Sequence, residues 1–195
     1  MKRIFDIFFS GLMLILLLPL FLCIAFFIVI DSRGGIFFGQ DRVGKNEKTF
    51  KLWKFRTMRP GSEKKGQLTV GAHDDRITRT GYVLRKYKID ELPQLWNVFI
   101  GEMSMVGPRP EVPRYVAMYN AEQKKVLSIK PGITDYASLL YFSESELLAA
   151  SKDPEKTYID EIMPAKLKLN LDYLRDHSFG GDLKIIGRTI SRIFS

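Results

Sequence analysis

Residues 4–30 are apolar at every position except Asp6, Ser10 and Gly11, and the run stops abruptly at Asp31-Ser32-Arg33. It exceeds the roughly 20 residues a helix needs to cross a bilayer. It is too long for the core of a cleaved signal peptide, and no small-residue cleavage site precedes Asp31. Pro19 interrupts it near the middle, removing a helix hydrogen bond and crowding the preceding turn. Lys2 and Arg3 flank one end and Arg33 the other, so the positive-inside rule draws both ends to the same side. These residues admit two readings, a single span and a helix–break–helix that dips in and returns. Pro19 and the flanks argue against the first. The chain divides into a membrane segment, 1–31, and a domain, 32–195.

Beyond Gly34 the pattern shortens. Ile36-Phe37-Phe38-Gly39-Gln40 and Thr49-Phe50-Lys51-Leu52-Trp53-Lys54-Phe55 surround Gly44-Lys45-Asn46-Glu47, which predicts a β-hairpin. Residues 59–80 are polar, with Gly61, Gly66 and Gly71 spaced through them, and read as a mobile loop. A short helix carrying Tyr82, Val83 and Arg85 follows. Leu92, Leu95, Trp96 and Phe99 then recur at i, i+3, i+4 and i+7, one apolar helix face. Pro93 suits a first turn, Asp90 falls at or near the N-cap, and Gly101 lies just past the end. Helices are further predicted over 111–126 (Tyr115, Met118 and Tyr119 on one side), 144–150 and 165–174, with Asp153-Pro154 and Met163-Pro164 as breaks. Residues 182–194 form a basic amphipathic helix, suited to packing on the domain or lying on a membrane. The fold class expected is α+β, mainly helical.

Charge sharpens this picture. The 195 residues carry a formal charge of +8 and a pI near 9.5, so anionic partners are favoured. Lys45, Lys48, Lys51, Lys54, Arg56 and Arg59 crowd the hairpin and interleave with Trp53 and Phe55. Beside a membrane segment, such a surface suits anionic lipid headgroups as well as plain solvation. No recognisable nucleic-acid-binding module accompanies the charge, so no nucleic-acid partner is expected. The lone Cys23 excludes an intrachain disulfide, and two histidines with one cysteine speak against a zinc site.

The chemistry concentrates after residue 84. Asp90 and Glu91 at a helix start have an ordinary explanation as a cap and a macrodipole partner. Gly107-Pro108-Arg109-Pro110 changes the balance. Each proline fixes its own φ and restricts its predecessor, so Arg109 is held on stiff backbone, as suits a guanidinium meant for a fixed anion such as phosphate. Two carboxylates with a rigid arginine make a metal–phosphate site.

Arg85, then Asp90-Glu91-Leu92-Pro93-Gln94-Leu95-Trp96-Asn97-Val98, then Gly101-Glu102-Met103-Ser104-Met105-Val106-Gly107-Pro108-Arg109-Pro110 resembles the bacterial sugar transferase family, the small monotopic polyprenyl-phosphate phosphoglycosyl transferases. Lys54-Phe55-Arg56-Thr57-Met58 and Lys130-Pro131-Gly132-Ile133-Thr134 also match its motifs, and the resemblance covers nearly the whole chain. It implies a re-entrant membrane hairpin followed by a catalytic domain on the cytoplasmic face of the bacterial inner membrane. The implied reaction moves a sugar-1-phosphate from a UDP-sugar to polyprenyl (undecaprenyl) phosphate and releases UMP. It passes through a covalent phospho-Asp intermediate, as the first membrane step of glycoconjugate synthesis (O-antigen, capsule or glycoprotein glycan). The resemblance makes Asp90 the nucleophile beside Glu91 as a second catalytic acid, and Mg²⁺ on these two carboxylates suits a diphosphate donor. Arg109 and Arg85 are expected to bind substrate phosphate, with Lys54 or Arg56 reaching the site; a homodimer stays open. The chain departs from the family pattern at four places. Leu18-Pro19 stands for Ser-Pro, Lys88 for Ser or Thr, Asp135-Tyr136-Ala137-Ser138 for Gly-Trp-Ala-Gln, and Asn170 for an acid that the nearby Asp172 could replace. The rival reading is a membrane-tethered basic module that binds anionic lipid or nucleic acid without catalysis; it predicts no dependence on a divalent metal.

Overall fold

The computed structural model describes residues 1–62, 71 and 74–194. Helices α1 (Lys2–Leu16) and α2 (Leu18–Asp31) open the chain, and strands β1 (Phe37–Val43) and β2 (Thr49–Phe55) follow. Then come α3 (Arg79–Lys86), α4 (Gln94–Ile100), β3 (Ser104–Val106), α5 (Pro113–Val116), β4 (Gly132–Thr134), α6 (Tyr136–Leu140), α7 (Glu144–Ala149), α8 (Pro154–Thr157), α9 (Met163–Asp176) and α10 (Phe179–Phe194). The class is α+β, mainly helical. β1 and β2 form the expected hairpin, antiparallel with Phe37 opposite Phe55 and Val43 opposite Thr49. Its turn places Asn46 and Glu47 at positive φ. The loop read over 59–80 lies mostly, at 63–70, 72 and 73, outside the described residues; its two ends meet where Met58 bridges Ile77.

No single helix among the described residues is long and apolar enough to cross a membrane, and α1 and α2 form a pair bent by 59° at Leu17. α1 is gripped by the domain through its polar residues. Lys2 Nζ donates to the Val106 carbonyl (2.9 Å), the Tyr173 hydroxyl (2.8 Å) and Asp182 Oδ2 (2.7 Å). Arg3 donates to the carbonyls of Val98 (2.6 Å) and Phe99 (2.8 Å) in the last turn of α4, the first of which also accepts from the Gly101 N–H (3.1 Å). Asp6, fully shielded, accepts from the Met105 backbone N–H (3.0 Å). The far end of α2 is held as firmly: Asp31 accepts from the Thr80 N–H (2.7 Å), and Arg56 donates to the carbonyls of Ser32 (2.7 Å) and Arg33 (2.6 Å). Between these anchors α2 buries only Ile24 and Ile28, against Phe55 and Leu84, and turns Leu22, Phe26, Phe27 and Ile30 outward.

The main core gathers Leu52, Leu95, Val98, Met103, Val106 and Ile185, and Phe5, Phe9 and Met13 of α1 pack on it. Each such side chain taken fully out of water contributes about 1.5–3 kcal/mol. A second core under α9 joins Val112, Tyr115, Val126, Tyr158, Met163 and Leu167. β3 and β4 pair in parallel, Ser104 with Gly132 and Val106 with Thr134. A Cβ on Gly132 would lie 2.1 Å from the Gly107 nitrogen, so two glycines let the Gly-Pro-Arg-Pro and Lys-Pro-Gly-Ile-Thr segments cross.

Four expectations are corrected. Asp90 does not cap a helix: Lys88 adopts left-handed backbone (φ 54°), the chain swings through a 3₁₀ turn over Ile89–Glu91, and α4 starts after Pro93. The buried face of α4 carries Leu95 and Val98, while Trp96 and Phe99 stack on each other outside it (centroids 5.9 Å apart). The helix read over 111–126 shrinks to α5, because Asn120 and Gln123 exchange side-chain-to-backbone bonds (2.9 and 2.8 Å) that open a turn. Pro154 begins a helix behind an Asp153 cap, and Pro164 interrupts nothing: helical backbone runs on from α8 through a π-helical stretch, Tyr158–Ile162, into α9.

Candidate active site

The turn that carries Asp90 and Glu91 is assembled by buried polar contacts. Asn97, wholly buried in α4, accepts from the Trp53 N–H (3.1 Å) and donates to the Lys51 carbonyl (2.7 Å) and Glu102 (2.6 Å). It thereby pins β2 alongside the turn and sets Lys54 against Glu91, Nζ to Oε1 at 2.8 Å. Arg109 approaches from the other side: Nη1 donates to Glu91 Oε2 (3.1 Å) and Nη2 to Oε1. Its backbone is fixed by the two prolines and by Asp135, which accepts from the Arg109 N–H (3.1 Å) and caps α6 through the Ser138 N–H (2.5 Å). Arg85 enters from α3, whose Thr78 cap and close-packed Gly81 seat it on the Thr57 backbone; its Nε donates to Thr57 Oγ1 (2.8 Å).

These groups line one cleft of about 820 Å³. Lys54, Arg85, Lys88, Asp90, Glu91 and Arg109 line it together, with Arg42, Glu111, Glu144 and Lys166 farther along; Phe9 and Met13 of α1 and Leu17 at the bend, with Ile186, Ile190 and Ile193 of α10, continue the wall as apolar surface. Asp90 and Glu91 differ sharply within it. Burial pushes the Asp90 carboxyl above its ordinary value, Lys54 opposing and Glu91 adding to the rise. Burial acts on Glu91 in the same sense, but Arg109 and Lys54 outweigh it and hold that carboxyl well below its ordinary range. Among the described residues no hydrogen bond or ion pair ties down the Asp90 carboxylate. Glu91 is neutralised in place, and Asp90 keeps the more basic carboxylate, an arrangement that separates two chemical roles.

The structure brings together Asp90, Glu91, Arg109, Arg85 and Lys54. It does not bring Arg56, whose guanidinium holds the carbonyls at the end of α2. β2 ends at Phe55, so the strand no longer carries Arg56 toward the cleft with Lys54. Asp172 does not stand in for an acid at 170: Asn170 is buried beside the cleft, whereas Asp172 faces outward to Arg175 (3.5 Å). Asn97 and Asp135 position the site, a role the sequence did not assign to either, although Asp135 lies in a stretch that departs from the family pattern. Asn97 is a polar residue inside an apolar helix, and Asp135-x-x-Ser138 is a cap pattern; those were the available signals.

The sequence model of the bacterial sugar transferase family matches residues 1–195. The chain is 39% identical, over its whole length and 36% of the relative's, to an undecaprenyl-phosphate glucose phosphotransferase of Komagataeibacter xylinus. It is 34% identical, over its whole length and 44% of the relative's, to a UDP-N-acetylgalactosamine-undecaprenyl-phosphate N-acetylgalactosaminephosphotransferase of Aeromonas hydrophila. A UDP-glucose:undecaprenyl-phosphate glucose-1-phosphate transferase of Caulobacter vibrioides is 33% identical, with all of this chain matching 70% of its length. The chain thus spans less than half of the first two relatives. It belongs to the bacterial sugar transferase family.

Proposed function

We propose that this chain transfers a sugar-1-phosphate from a UDP-sugar to polyprenyl phosphate, as the named relatives do with undecaprenyl phosphate. The observation that carries the reading is the cleft in which an untethered Asp90, a neutralised Glu91 and the cations Lys54, Arg85, Lys88 and Arg109 adjoin the apolar wall of α1. One substrate is a soluble dianion and the other is lipid-bound, and this cleft has a surface for each.

In the proposed reaction an Asp90 oxygen attacks the sugar-bearing phosphorus, and the bond to the bridging oxygen breaks, releasing UMP with the electron pair. A phosphate oxygen of the polyprenyl phosphate then attacks the same phosphorus and expels the Asp90 carboxylate, giving the polyprenyl-diphosphate sugar. A carboxylate nucleophile needs no base, and its raised basicity favours attack. Arg109 and Arg85 bear on the negative charge that gathers at phosphorus. Among the described residues no group of three or more metal-ligating side chains gathers, so the protein offers two carboxylates at most, as Mg²⁺ requires where substrate phosphates complete its shell. Glu91 accepts three hydrogen bonds of about four that a carboxylate takes, and Asp90 is untied, so both would hold the ion. When bound, Mg²⁺ supplies positive charge to the donor diphosphate.

The helix pair is proposed to re-enter the membrane rather than cross it, at the cytoplasmic face where anionic headgroups meet the basic hairpin. Both of its ends are bonded to the same domain. With a 59° bend shared equally, each leg of about 22 Å descends roughly 11 Å, well short of a hydrocarbon core of about 30 Å.

The test is UMP release from a panel of UDP-sugars with undecaprenyl phosphate and Mg²⁺. At least one donor turns over; Asp90→Asn and excess EDTA each abolish turnover. Substantial release by Asp90→Asn contradicts the mechanism, and full activity in EDTA contradicts the metal.

A further inference from the structure

The cations of the cleft are not equivalent. Lys54 and Arg109 are bound to Glu91, Arg42 donates to Glu111 (3.0 Å), and Lys166 pairs with Glu144 (2.6 Å). For any of these to take a ligand phosphate, it must loosen a carboxylate it already holds. Lys88 is different. Among the described residues its ammonium pairs with no carboxylate; it sits 4.9 Å from the centre of the Phe142 ring, which also carries the Arg192 guanidinium at 5.5 Å. Lys88 and Phe142 both line the cleft with Asp90 and Glu91, and the Lys88 charge acts on both acids.

The backbone adds a second observation. Lys88 has φ 54° and ψ 19°, left-handed geometry that glycine or asparagine adopts more readily than lysine. The side chain is therefore carried at a conformational cost at the point where the chain turns into Asp90. Strain of this kind gathers where a side chain is used. An aromatic face steadies an ammonium but does not neutralise it, so a part-buried Lys88 gains from an arriving anion.

We propose that Lys88, positioned by Phe142, is the cation that receives a substrate phosphate as it enters this cleft. The proposal rests on the phosphoglycosyl transferase reading above. The ligand chemistry is a phosphate ester, carried either by the UDP-sugar or by the polyprenyl phosphate. Lys88 takes it without disturbing the Lys54–Glu91–Arg109 cluster, and delivers it two residues from Asp90.

The experiment uses the full chain and measures KM for each substrate and kcat in the parent, Lys88→Asn, Lys88→Arg and Phe142→Leu. Asparagine keeps the left-handed turn and removes the charge. Lys88→Asn is expected to raise one KM about tenfold with kcat changed less than about twofold, the loss of one charged hydrogen bond. The KM that moves identifies the donor or the lipid as the source of the phosphate. Lys88→Arg restores that KM to within about twofold, and Phe142→Leu raises it about threefold, as expected for a lost cation–π contact. Both KM values unchanged in Lys88→Asn overturn the proposal, as does a Lys88→Arg variant as impaired as Lys88→Asn. Should Lys88→Asn fail to fold, Phe142→Leu, away from the strained turn, carries the test. Calorimetric binding of inorganic pyrophosphate separates this proposal from the reaction itself: the affinity falls about tenfold in Lys88→Asn even if the parent turns over no UDP-sugar. Unaltered pyrophosphate affinity overturns the proposal, whereas absent turnover overturns only the reaction.

Discussion

In the cleft, Lys54, Asp90, Glu91 and Arg109 are charged side chains drawn largely out of water; on α2, Leu22, Phe26 and Phe27 are apolar side chains turned outward. Both depart from the ordinary division of a soluble domain, in opposite senses. In the cleft the cost of desolvation is met by ion pairs for Glu91 and left unmet for Asp90. Along α1 and α2 the few polar side chains, Asp6, Ser10 and Lys2, are turned inward and hydrogen-bonded, leaving apolar surface outward, as the proposed membrane seat requires. The lesson is that each inversion marks where a different solvent or ligand is expected. The two regions meet at Phe9, Met13 and Leu17, where the helix pair becomes part of the cleft wall.

Three experiments break or sharpen this contrast. The largest effect is all-or-none. In a Cys23→Ser background, a cysteine inserted ahead of Lys2 stays unlabelled by a membrane-impermeant thiol reagent in intact cells and is labelled after lysis. Labelling from outside would establish a span and detach the helix pair from the account. Next, Glu91→Gln leaves Lys54 and Arg109 without their anion, which costs roughly 3–5 kcal/mol and lowers Tm on the order of 10 °C. An unchanged Tm would show that the cluster is not held by charge. The smallest effect has the opposite sign. The Asp90 carboxyl is raised in the folded state, so stability falls as pH rises from its unfolded value through that raised pKa; at neutral pH the charged form is destabilising. Asp90→Asn therefore raises Tm at pH 7, by about 2–4 °C for each kcal/mol recovered. Glu91 is depressed, and its contribution is complete above its unfolded pKa and lost only as pH falls through the lower folded one. Amide variants of adjacent residues thus move Tm in opposite directions; movement in the same direction would remove the distinction between them.

Local features with short-range causes were legible in the sequence. Pro19, the apolar run and the basic flanks pointed to the bent helix pair, and two aromatic-rich runs around Gly44-Lys45-Asn46-Glu47 pointed to the β1–β2 hairpin. The Asp90-Glu91 turn, Arg109 between prolines, and Arg85 were read as neighbours and share one cleft. What stayed hidden depended on contacts distant in sequence. Periodicity put Trp96 and Phe99 in a core, but it reports only which residues share a face, not which face the rest of the chain covers. Lys54 and Arg56, two residues apart, looked interchangeable until the end of β2 sent one to Glu91 and the other to α2. Asp90 and Glu91 were an undivided acidic pair, because the cations that separate them come from β2 and from the turn after β3.

The central claim is that Asp90 is the nucleophile. It is tested most directly by incubating the protein with an active UDP-sugar and no lipid acceptor, then measuring the intact mass and mapping the modified peptide. The account predicts one equivalent of UMP, a mass increase equal to one sugar-phosphate on the peptide holding Asp90, and its disappearance when polyprenyl phosphate is added. Asp90→Asn shows no adduct. A protein that turns over fully when both substrates are present, yet forms no adduct and releases no UMP without the lipid, contradicts the claim and points to direct transfer between the two phosphates.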